Sequence, residues 1–278
     1  YTTLNDTSLA FNHYVNNHIV YESLLSQSNF DVELNYLSDT DHYPNHVLNH
    51  VLVADHTPPD LSYYHVPKSF DWRLYNGVSS VKNQGSCGDC YAFSALGAIE
   101  SQYLIKFSKE LSLSASQVVD CSESFGNEGC NGGLQPEVFK YIEEYGIENT
   151  YSYPYRAKDQ MCKYNKNQVV LNITDFQYVS PGIYILKHSL VKYGPISVSM
   201  STPVSFQLYK SGIYNNNKCN NSEIDHAVLL VGYGKSNGLD YWVIKNSWGS
   251  QWGEDGFARI SIENDCSISS AGGSFPVL

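Results

Sequence analysis

Apolar residues recur at helical spacing near the middle of the chain. Between Ala92 and Tyr103 they are spaced by four, three and four positions, which predicts a helix from about Cys90 to Lys106 with one buried face. The segments "VFKYIEEY" and "YILKHSLVKY" predict two more helices, and Gly194 and Pro195 end the second of these.

Beyond Pro195 the pattern changes to short β-branched and aromatic runs separated by Gly, Asn and Ser. These runs predict strands in "ISVSM", "HAVLLVGYG", "DYWVIKNS" and "GFARISI". The order predicts an α+β protein with a helical half at about 77–178, a β-rich half at about 179–270 and a cleft between them.

The chain also divides into an N-terminal unit, 1–65, and a larger unit, 66–278. The first 65 residues contain eight acidic residues and no Lys or Arg, whereas the remainder is nearly balanced. Pro58, Pro59 and Pro67 favour an extended connector at the boundary.

Composition excludes two classes of function. A net charge of -11 over 278 residues argues against a nucleic-acid partner, which requires clustered Lys and Arg. The sequence has no run of about 18 apolar residues, so no membrane span is expected. Because it starts at Tyr1 rather than Met, we expect a targeting segment to have been removed.

The stretch "QGSCGDCYAFS" places Cys87 and Cys90 three residues apart at the start of the first predicted helix. A redox dithiol would need a βαβ unit, and a zinc site would need two more closely spaced ligands; the sequence provides neither. The remaining readings are two disulfide partners, or a nucleophile beside a structural half-cystine.

Four motifs in chain order resolve this choice. "QGSCGDCYAFS", "DCSESFGNEGCNGG", "IDHAVLLVGYG" and "KNSWGSQWGEDGF" resemble the papain family of cysteine peptidases, with a cathepsin L-like pattern, over residues 66–278. The resemblance implies a papain-like two-domain fold, with a helical left domain, a β-barrel-like right domain and the active-site cleft between them.

Catalytic roles follow residue by residue from this resemblance. Cys90 matches the nucleophile, His226 its imidazole partner, Asn246 the amide that orients the imidazole, and Gln84 the side-chain donor of the oxyanion hole. The chemistry requires these types, because a thiol must become a thiolate before it attacks a carbonyl. No cofactor or metal ion is expected.

Other residues are assigned by the same resemblance. It implies the disulfides Cys87–Cys130, Cys121–Cys162 and Cys219–Cys266. It also implies a medium or large hydrophobic residue at substrate position P2, and a set of substrate-binding residues: Gly88, Gly132, Gly133, Leu134, Ser199, Ile224, Asp225, Ala227, Trp248 and Ala271. Sequons make Asn5, Asn172 and Asn220 glycosylation candidates.

The sequence departs from the family pattern at three positions. Asp89 stands where Ser is common, Tyr91 where Trp is usual, and Ser267 where Gly usually follows the last cysteine. Taken as an exposed loop residue, Asp89 is expected to oppose thiolate formation by less than about 1 kcal/mol. The alternative function is therefore a catalytically impaired homologue that binds peptides or protein partners.

The first unit resembles a shortened inhibitory prosegment. "ELNYLSD" matches a family prosegment motif at Asn35 and Asp39, whereas the upstream helical signature is weak. The expected product is an endopeptidase made as a zymogen in a lysosomal, vacuolar or secreted location. Its expected partners are protein or peptide substrates, its own prosegment and inhibitors of the cystatin type.

Overall fold

The computed structural model describes residues 4–38 and 66–278. The α-helices within these ranges are α1 Leu4–Gln27, α2 Cys90–Phe107, α3 Ala115–Cys121, α4 Gln135–Tyr145, α5 Ile183–Tyr193, α6 Val204–Gln207 and α7 Ile268–Ala271. The strands are β1 Phe30–Val32, β2 Phe70–Asp71, β3 Ile147–Glu148, β4 Val169–Leu171, β5 Asp175–Val179, β6 Ile196–Met200, β7 Tyr209–Tyr214, β8 His226–Ser236, β9 Leu239–Lys245, β10 Phe257–Ser261 and β11 Gly273–Val277. None of the described helices is both long and apolar enough to cross a membrane.

The predicted α+β class is confirmed. Helix α2 ends one residue beyond its predicted end, and the predicted helices in the segments 138–145 and 184–193 form the greater part of α4 and α5. The predicted strands match β6, β8, β9 and β10 within two residues at each end. The sequence patterns did not predict α3, which has only seven residues, the edge strand β5 or its neighbour β11.

Strand β8 lies at the centre of the molecule. It pairs antiparallel with β6 on one side and with β9 on the other, and the tight turn to β9 consists of Asn237 and Gly238, both at positive φ. Side chains alternate along a strand, so Val228 and Leu230 enter the core of the β-rich half. Leu229 and Val231 enter the helical core instead. Both faces of β8 are therefore buried, which explains its continuous apolar run.

The first unit packs on the β-rich half. Helix α1 has 24 residues, more than its weak sequence signature indicated, and β1 adds to the sheet antiparallel to β7. Phe30 and Leu37 are buried in the same core as the central strands. Asp39 and the proposed boundary near residue 65 lie outside the described residues.

Three disulfides join segments that are distant in sequence. Their pairs are Cys87–Cys130, Cys121–Cys162 and Cys219–Cys266, with Cα–Cα distances of 4.7 to 4.9 Å. All seven cysteines lie in the described part of the chain, and Cys90 is the one outside these bonds. On the chain-entropy account each loop of this size stabilises the fold by about 4 kcal/mol.

Ser267 adopts a backbone conformation that favours glycine, with φ of 75° and ψ of 4°. An L side chain in this region costs about 1–2 kcal/mol, while glycine costs about 0.4–1 kcal/mol through the unfolded chain. We therefore expect Ser267→Gly to raise the free energy of unfolding by about 0.5–1 kcal/mol. Thermal or denaturant unfolding in a Cys90→Ala background, which avoids self-digestion, measures this change.

Ser269→Gly is the matched control, because Ser269 lies inside helix α7. Glycine there is expected to lower stability by about 0.5–1 kcal/mol. If both variants shift stability in the same direction, the conformational explanation for Ser267 is wrong.

Candidate active site

Cys90 is the first residue of α2, an 18-residue helix, and is fully buried. The first three turns of α2 are almost entirely buried because small residues allow close packing on both halves. The N-terminus of a helix carries a partial positive charge and N–H groups without helical partners. The thiol of Cys90 therefore lies where a negative charge is favoured.

Helix α2 runs alongside β8 in the same direction. The Ser94 hydroxyl donates a hydrogen bond of 2.7 Å to the carbonyl of Val228, and a Cβ added to Gly97 would lie 3.3 Å from Leu229. Ser94 is four residues beyond the start of α2, an advance of about 6 Å, and Val228 is two residues beyond the start of β8, about 6.6 Å. Gly97 lies about 10.5 Å along α2 from its first residue, and Leu229 lies about 10 Å along β8 from its first residue.

The two elements therefore begin side by side. Their first residues are Cys90 and His226, which the sequence separates by 136 positions. The matched advances place the first residue of β8, His226, at the same level as the first residue of α2, Cys90.

Asn246 and Trp248 fix the orientation of the imidazole. The Nε2 atom of His226 lies 2.8 Å from Oδ1 of Asn246, and the same oxygen accepts the backbone N–H of Ser247. An oxygen acceptor at Nε2 selects the form of the ring that carries a proton there, which leaves Nδ1 as the atom for proton exchange. The indole of Trp248 stacks on the ring with centroids 4.9 Å apart and excludes water from this contact.

Gln84 is held at both ends of its amide. Its Oε1 accepts a hydrogen bond of 2.6 Å from the Ser247 hydroxyl, and its Nε2 donates one of 2.8 Å to the carbonyl of Cys87. The amide nitrogen carries two hydrogens, and the bond to Cys87 uses one of them. The second can point toward a substrate oxygen near the N-terminus of α2.

The Cys87–Cys130 disulfide joins the Cys90 loop to the glycine-rich segment 130–134. The N–H of Gly88 reinforces this contact by donating to the carbonyl of Cys130. Gly133 cannot carry a side chain, because a Cβ would lie 2.4 Å from Oδ1 of Asn127 and 2.7 Å from the ring of Tyr91. Close packing thus holds the backbone of Gly132 and Gly133 beside the nucleophile loop.

The residues predicted to line the P2 pocket come from separate elements. Ser199 on β6 faces Ala227 on β8 in register, and Nε2 of Gln135 donates to the Ser199 hydroxyl, which brings the neighbouring Leu134 to the same place. The sheet also carries Ala271 toward this point, since Gly273 pairs with Val198.

Ile224 and Asp225 immediately precede β8. Oδ1 of Asp225 accepts hydrogen bonds from the backbone N–H and the hydroxyl of Thr202. Asp225 therefore fixes the segment that leads into His226.

Asp89 is not an exposed loop residue, and the expectation built on that assumption is wrong. Its side chain is fully buried, and burial raises its pKa to about 8, with a nearby carboxylate, Asp159, acting in the same direction. The carboxyl is therefore neutral in mildly acidic solution and exerts little Coulombic effect on Cys90 there. Replacing it with Ser gives no reason to expect a lower pKa for Cys90 at acidic pH.

A buried charge network lies behind the site. Glu100 on α2 pairs with Lys82, accepts the hydroxyl of Ser79 and accepts the N–H of Leu113. The ammonium of Lys245 on β9 bonds to Ser79, and burial lowers its pKa to about 8. These contacts tie α2 to the sheet below the catalytic residues.

Two of the three glycosylation candidates have side chains that the structure describes. Asn172 and Asn220 are exposed, and Oδ1 of Asn220 accepts the N–H of Cys266. The side chain of Asn5 lies outside the described residues.

Sequence reasoning missed Ser247, Ser94 and Tyr155. Ser247 lies within "KNSWG", so the motif contained it, but its partner Gln84 is 163 positions away. Ser94 and Tyr155 are defined only by contacts across the fold, so no local signal could have identified their roles.

Comparisons with known proteins agree with this geometry. Residues 66–274 match the family model described as papain family cysteine protease. The chain is 46% identical to procathepsin L of Mus musculus over 221 residues, which are 77% of this chain and 66% of that protein. It is 46% identical to cathepsin L2 of Homo sapiens over 215 residues, which are 74% of this chain and 64% of that protein. The chain thus spans just under two thirds of the length of these relatives.

A solved structure of digestive procathepsin L 3 from the larval midgut of Tenebrio molitor resembles the whole chain. The TM-score is 0.89 at 32% identity, covering 100% of this chain and 94% of that one. The similarity includes the N-terminal unit as well as the larger one.

Proposed function

Because the chain belongs to the papain family of cysteine proteases, we propose that it is an endopeptidase that cleaves peptide bonds with Cys90 as its nucleophile. The observation that carries this proposal is that α2 and β8 lie side by side and begin at the same level. Their first residues carry a thiol and an imidazole.

The reaction uses these two groups as an ion pair. The Cys90 thiol transfers its proton to Nδ1 of His226, and the thiolate is stabilised by the imidazolium and by the positive end of α2. The thiolate attacks the peptide carbonyl, and His226 returns the proton to the leaving amine. A thioester to Cys90 remains, and water activated by His226 hydrolyses it to release the acid and restore the thiol.

Gln84 and the backbone N–H of Cys90 stabilise the oxygen that becomes negative during attack. The Cys90 N–H belongs to the first turn of α2, where the positive end of the helix dipole favours a developing negative charge. The Gln84 amide is held in place before the reaction by Ser247 and Cys87. Loss of one such donor typically costs about 2.7–4 kcal/mol of transition-state stabilisation.

Substrate preference follows from the small and apolar residues beside the catalytic pair. Ser199 pairs in register with Ala227 and accepts a hydrogen bond from Gln135, the neighbour of Leu134, and the proposal assigns these residues to the pocket for the side chain two positions before the cleaved bond. None of them carries a charge, so a hydrophobic P2 residue is accepted and an Arg would be left without a partner.

The N-terminal unit acts as an inhibitory prosegment in this proposal. It extends the sheet through β1, and Asn35 donates to the carbonyl of Gln207. The Tyr36 hydroxyl bonds to the carbonyl of Trp248, next to the imidazole of His226. The prosegment thus contacts residues adjacent to the catalytic pair in this proposal.

The setting we propose is the secretory route, with a lysosomal, vacuolar or secreted destination. Three disulfides require an oxidising compartment during folding. Inhibitors of the cystatin type are proposed partners, alongside protein and peptide substrates.

The test is hydrolysis of an N-blocked fluorogenic peptide with Leu at P2, at pH 5 with reductant, after removal of residues 1–65. We expect turnover that disappears in Cys90→Ala, and at least about tenfold lower kcat/KM when P2 is Arg, corresponding to about 1.4 kcal/mol. Turnover that persists in Cys90→Ala would exclude this nucleophile. No turnover by the processed wild type would favour the impaired, peptide-binding homologue.

Ser247→Ala should reduce catalysis through Gln84. The Gln84 amide then loses one of its two anchors, and we expect kcat to fall about five- to tenfold, the value of one net hydrogen bond. In Gln84→Ala, adding Ser247→Ala should cost little more, because both changes act on one donor. Additive losses in the double variant would contradict this coupling.

Leu37→Ala should weaken prosegment docking. Leu37 is 1% exposed within the core of the β-rich half, and truncating such a residue costs about 2–5 kcal/mol. We expect faster processing of a Cys90→Ala proenzyme by added mature enzyme at pH 5. Leu25→Ala, at a leucine 54% exposed on α1, is the matched control and should leave the rate unchanged. Equal rates for both variants would show that Leu37 does not hold the prosegment.

A further inference from the structure

The Tyr155 hydroxyl lies between two oxygen atoms beside the catalytic residues. It is 2.7 Å from Oδ2 of Asp89 and 2.7 Å from the backbone carbonyl of Gln84. A phenol has one hydrogen, and both neighbours are acceptors if Asp89 is ionised. Both short contacts can be hydrogen bonds only if Asp89 supplies a second hydrogen. The carboxyl group then donates to Tyr155, and Tyr155 donates to Gln84.

The surroundings of Asp89 also favour its neutral form. The side chain is fully buried, and within residues 4–38 and 66–278 its Oδ1 has no hydrogen-bond partner. A carboxylate would leave that oxygen charged and unsolvated, which is far more costly than a neutral carbonyl oxygen in the same place.

The groups near Asp89 differ in their effect on its charge. In the loop after β3, Asp159 opposes a negative charge on Asp89, whereas the hydrogen bond from Tyr155 and the backbone N–H of Asp89 itself lower its pKa. On α2 the neighbouring ionisable groups are Cys90 and Tyr91. Asp120 on α3 acts on the adjoining Tyr91. Each of these groups is neutral or negative, and burial is the main cause of the raised pKa of Asp89, about 8.

We propose that Asp89 keeps its proton in the folded protein and, through Tyr155, acts as a positioning residue for Gln84 and Cys90. The backbone carbonyl of Asp89 accepts the N–H groups of Ala92 and Phe93, so the same residue also begins the first turn of α2. One residue therefore links the helix that carries the nucleophile to the loop that carries the oxyanion donor. The positioning role rests on the proposed function, whereas the proton on Asp89 does not.

Ionisation would break this chain of hydrogen bonds. When Asp89 releases its proton to solvent, the Tyr155 hydrogen turns to the carboxylate and the Gln84 carbonyl loses its donor. A buried negative charge then also lies next to Cys90, where it disfavours the thiolate. The arrangement is thus intact in acidic solution and lost as the pH rises through about 8.

The first experiment needs no activity and uses the full chain with Cys90→Ala. Difference infrared spectra between this protein and its Asp89→Asn derivative, at pH 7, should show the carbonyl band of a protonated carboxylic acid. Asp120→Asn is the matched control: Asp120 also contacts a tyrosine hydroxyl, Tyr153, at 2.7 Å, but two N–H contacts from Gln160 supply donors for an ionised carboxylate. No band from Asp89 at pH 7 would overturn the proposal.

The dependence of stability on pH gives a second readout in the same background. The folded pKa of Asp89, about 8, lies above its ordinary value of 3.8, so the folded state binds this proton more tightly than the unfolded state. The stabilisation is complete below pH 3.8 and is lost as pH rises to about 8. Between these limits the unfolding constant, relative to Asp89→Asn, should rise by up to about tenfold per pH unit. A flat ratio would contradict the proposal.

The positioning role is tested in the processed enzyme. Asn at position 89 can donate to Tyr155 but does not titrate, whereas Asp89→Leu and Tyr155→Phe break the chain. We expect the last two to lower kcat about tenfold at pH 5 with little change in KM, and Asp89→Asn to restore most of it. The ratio of wild-type to Asp89→Asn activity should fall as pH rises through 8. If Asp89→Leu and Tyr155→Phe retain wild-type kcat while the infrared band is present, Asp89 holds a proton but has no positioning role.

Discussion

The contact between α2 and β8 is the constraint on which the proposed catalytic arrangement depends. Helix α2 and strand β8 run in the same direction, and the contacts at Ser94 and Gly97 lie at matching distances from their first residues, so the two elements begin side by side. Cys90 is the first residue of α2, and His226 is the first residue of β8. A Cβ at Gly97 would lie 3.3 Å from the Leu229 side chain, so the absence of a side chain there lets the two elements approach closely.

Strand β8 can support this contact because both of its faces are buried. Val228 and Leu230 belong to the core of the β-rich half, and Leu229 and Val231 belong to the helical core. The two cores therefore meet at the strand that begins with His226, so a shift in either core would displace that residue. The Glu100 network adds a polar tie between α2 and β9, with each buried carboxylate oxygen bonded to a donor.

Periodicity predicted the elements that carry the site, and spacing within motifs predicted the residues proposed to act in it. Helix α2 and strand β8 are long enough for their patterns to be distinctive, whereas α3 has only seven residues. Burial of a polar residue could not be predicted in this way. Asp89 has the sequence surroundings of a loop, and its environment is set by Tyr155, which lies 66 positions away. The anchoring of Gln84 by Ser247 is equally non-local.

The burial of Asp89 changes how the departures from the family pattern are understood. An ionised Asp89 beside the nucleophile would favour an impaired enzyme, because it would oppose the thiolate on which the chemistry depends. A buried and neutral carboxyl would instead favour an active enzyme, since it adds a hydrogen-bond donor without adding charge. Lys245, whose pKa burial lowers to about 8, remains charged in the same acidic range and faces Glu100 behind the site. In acidic solution a neutral Asp89 adds no negative charge beside Cys90, and the substitution at position 89 is therefore compatible with the proposed catalysis in an acidic compartment.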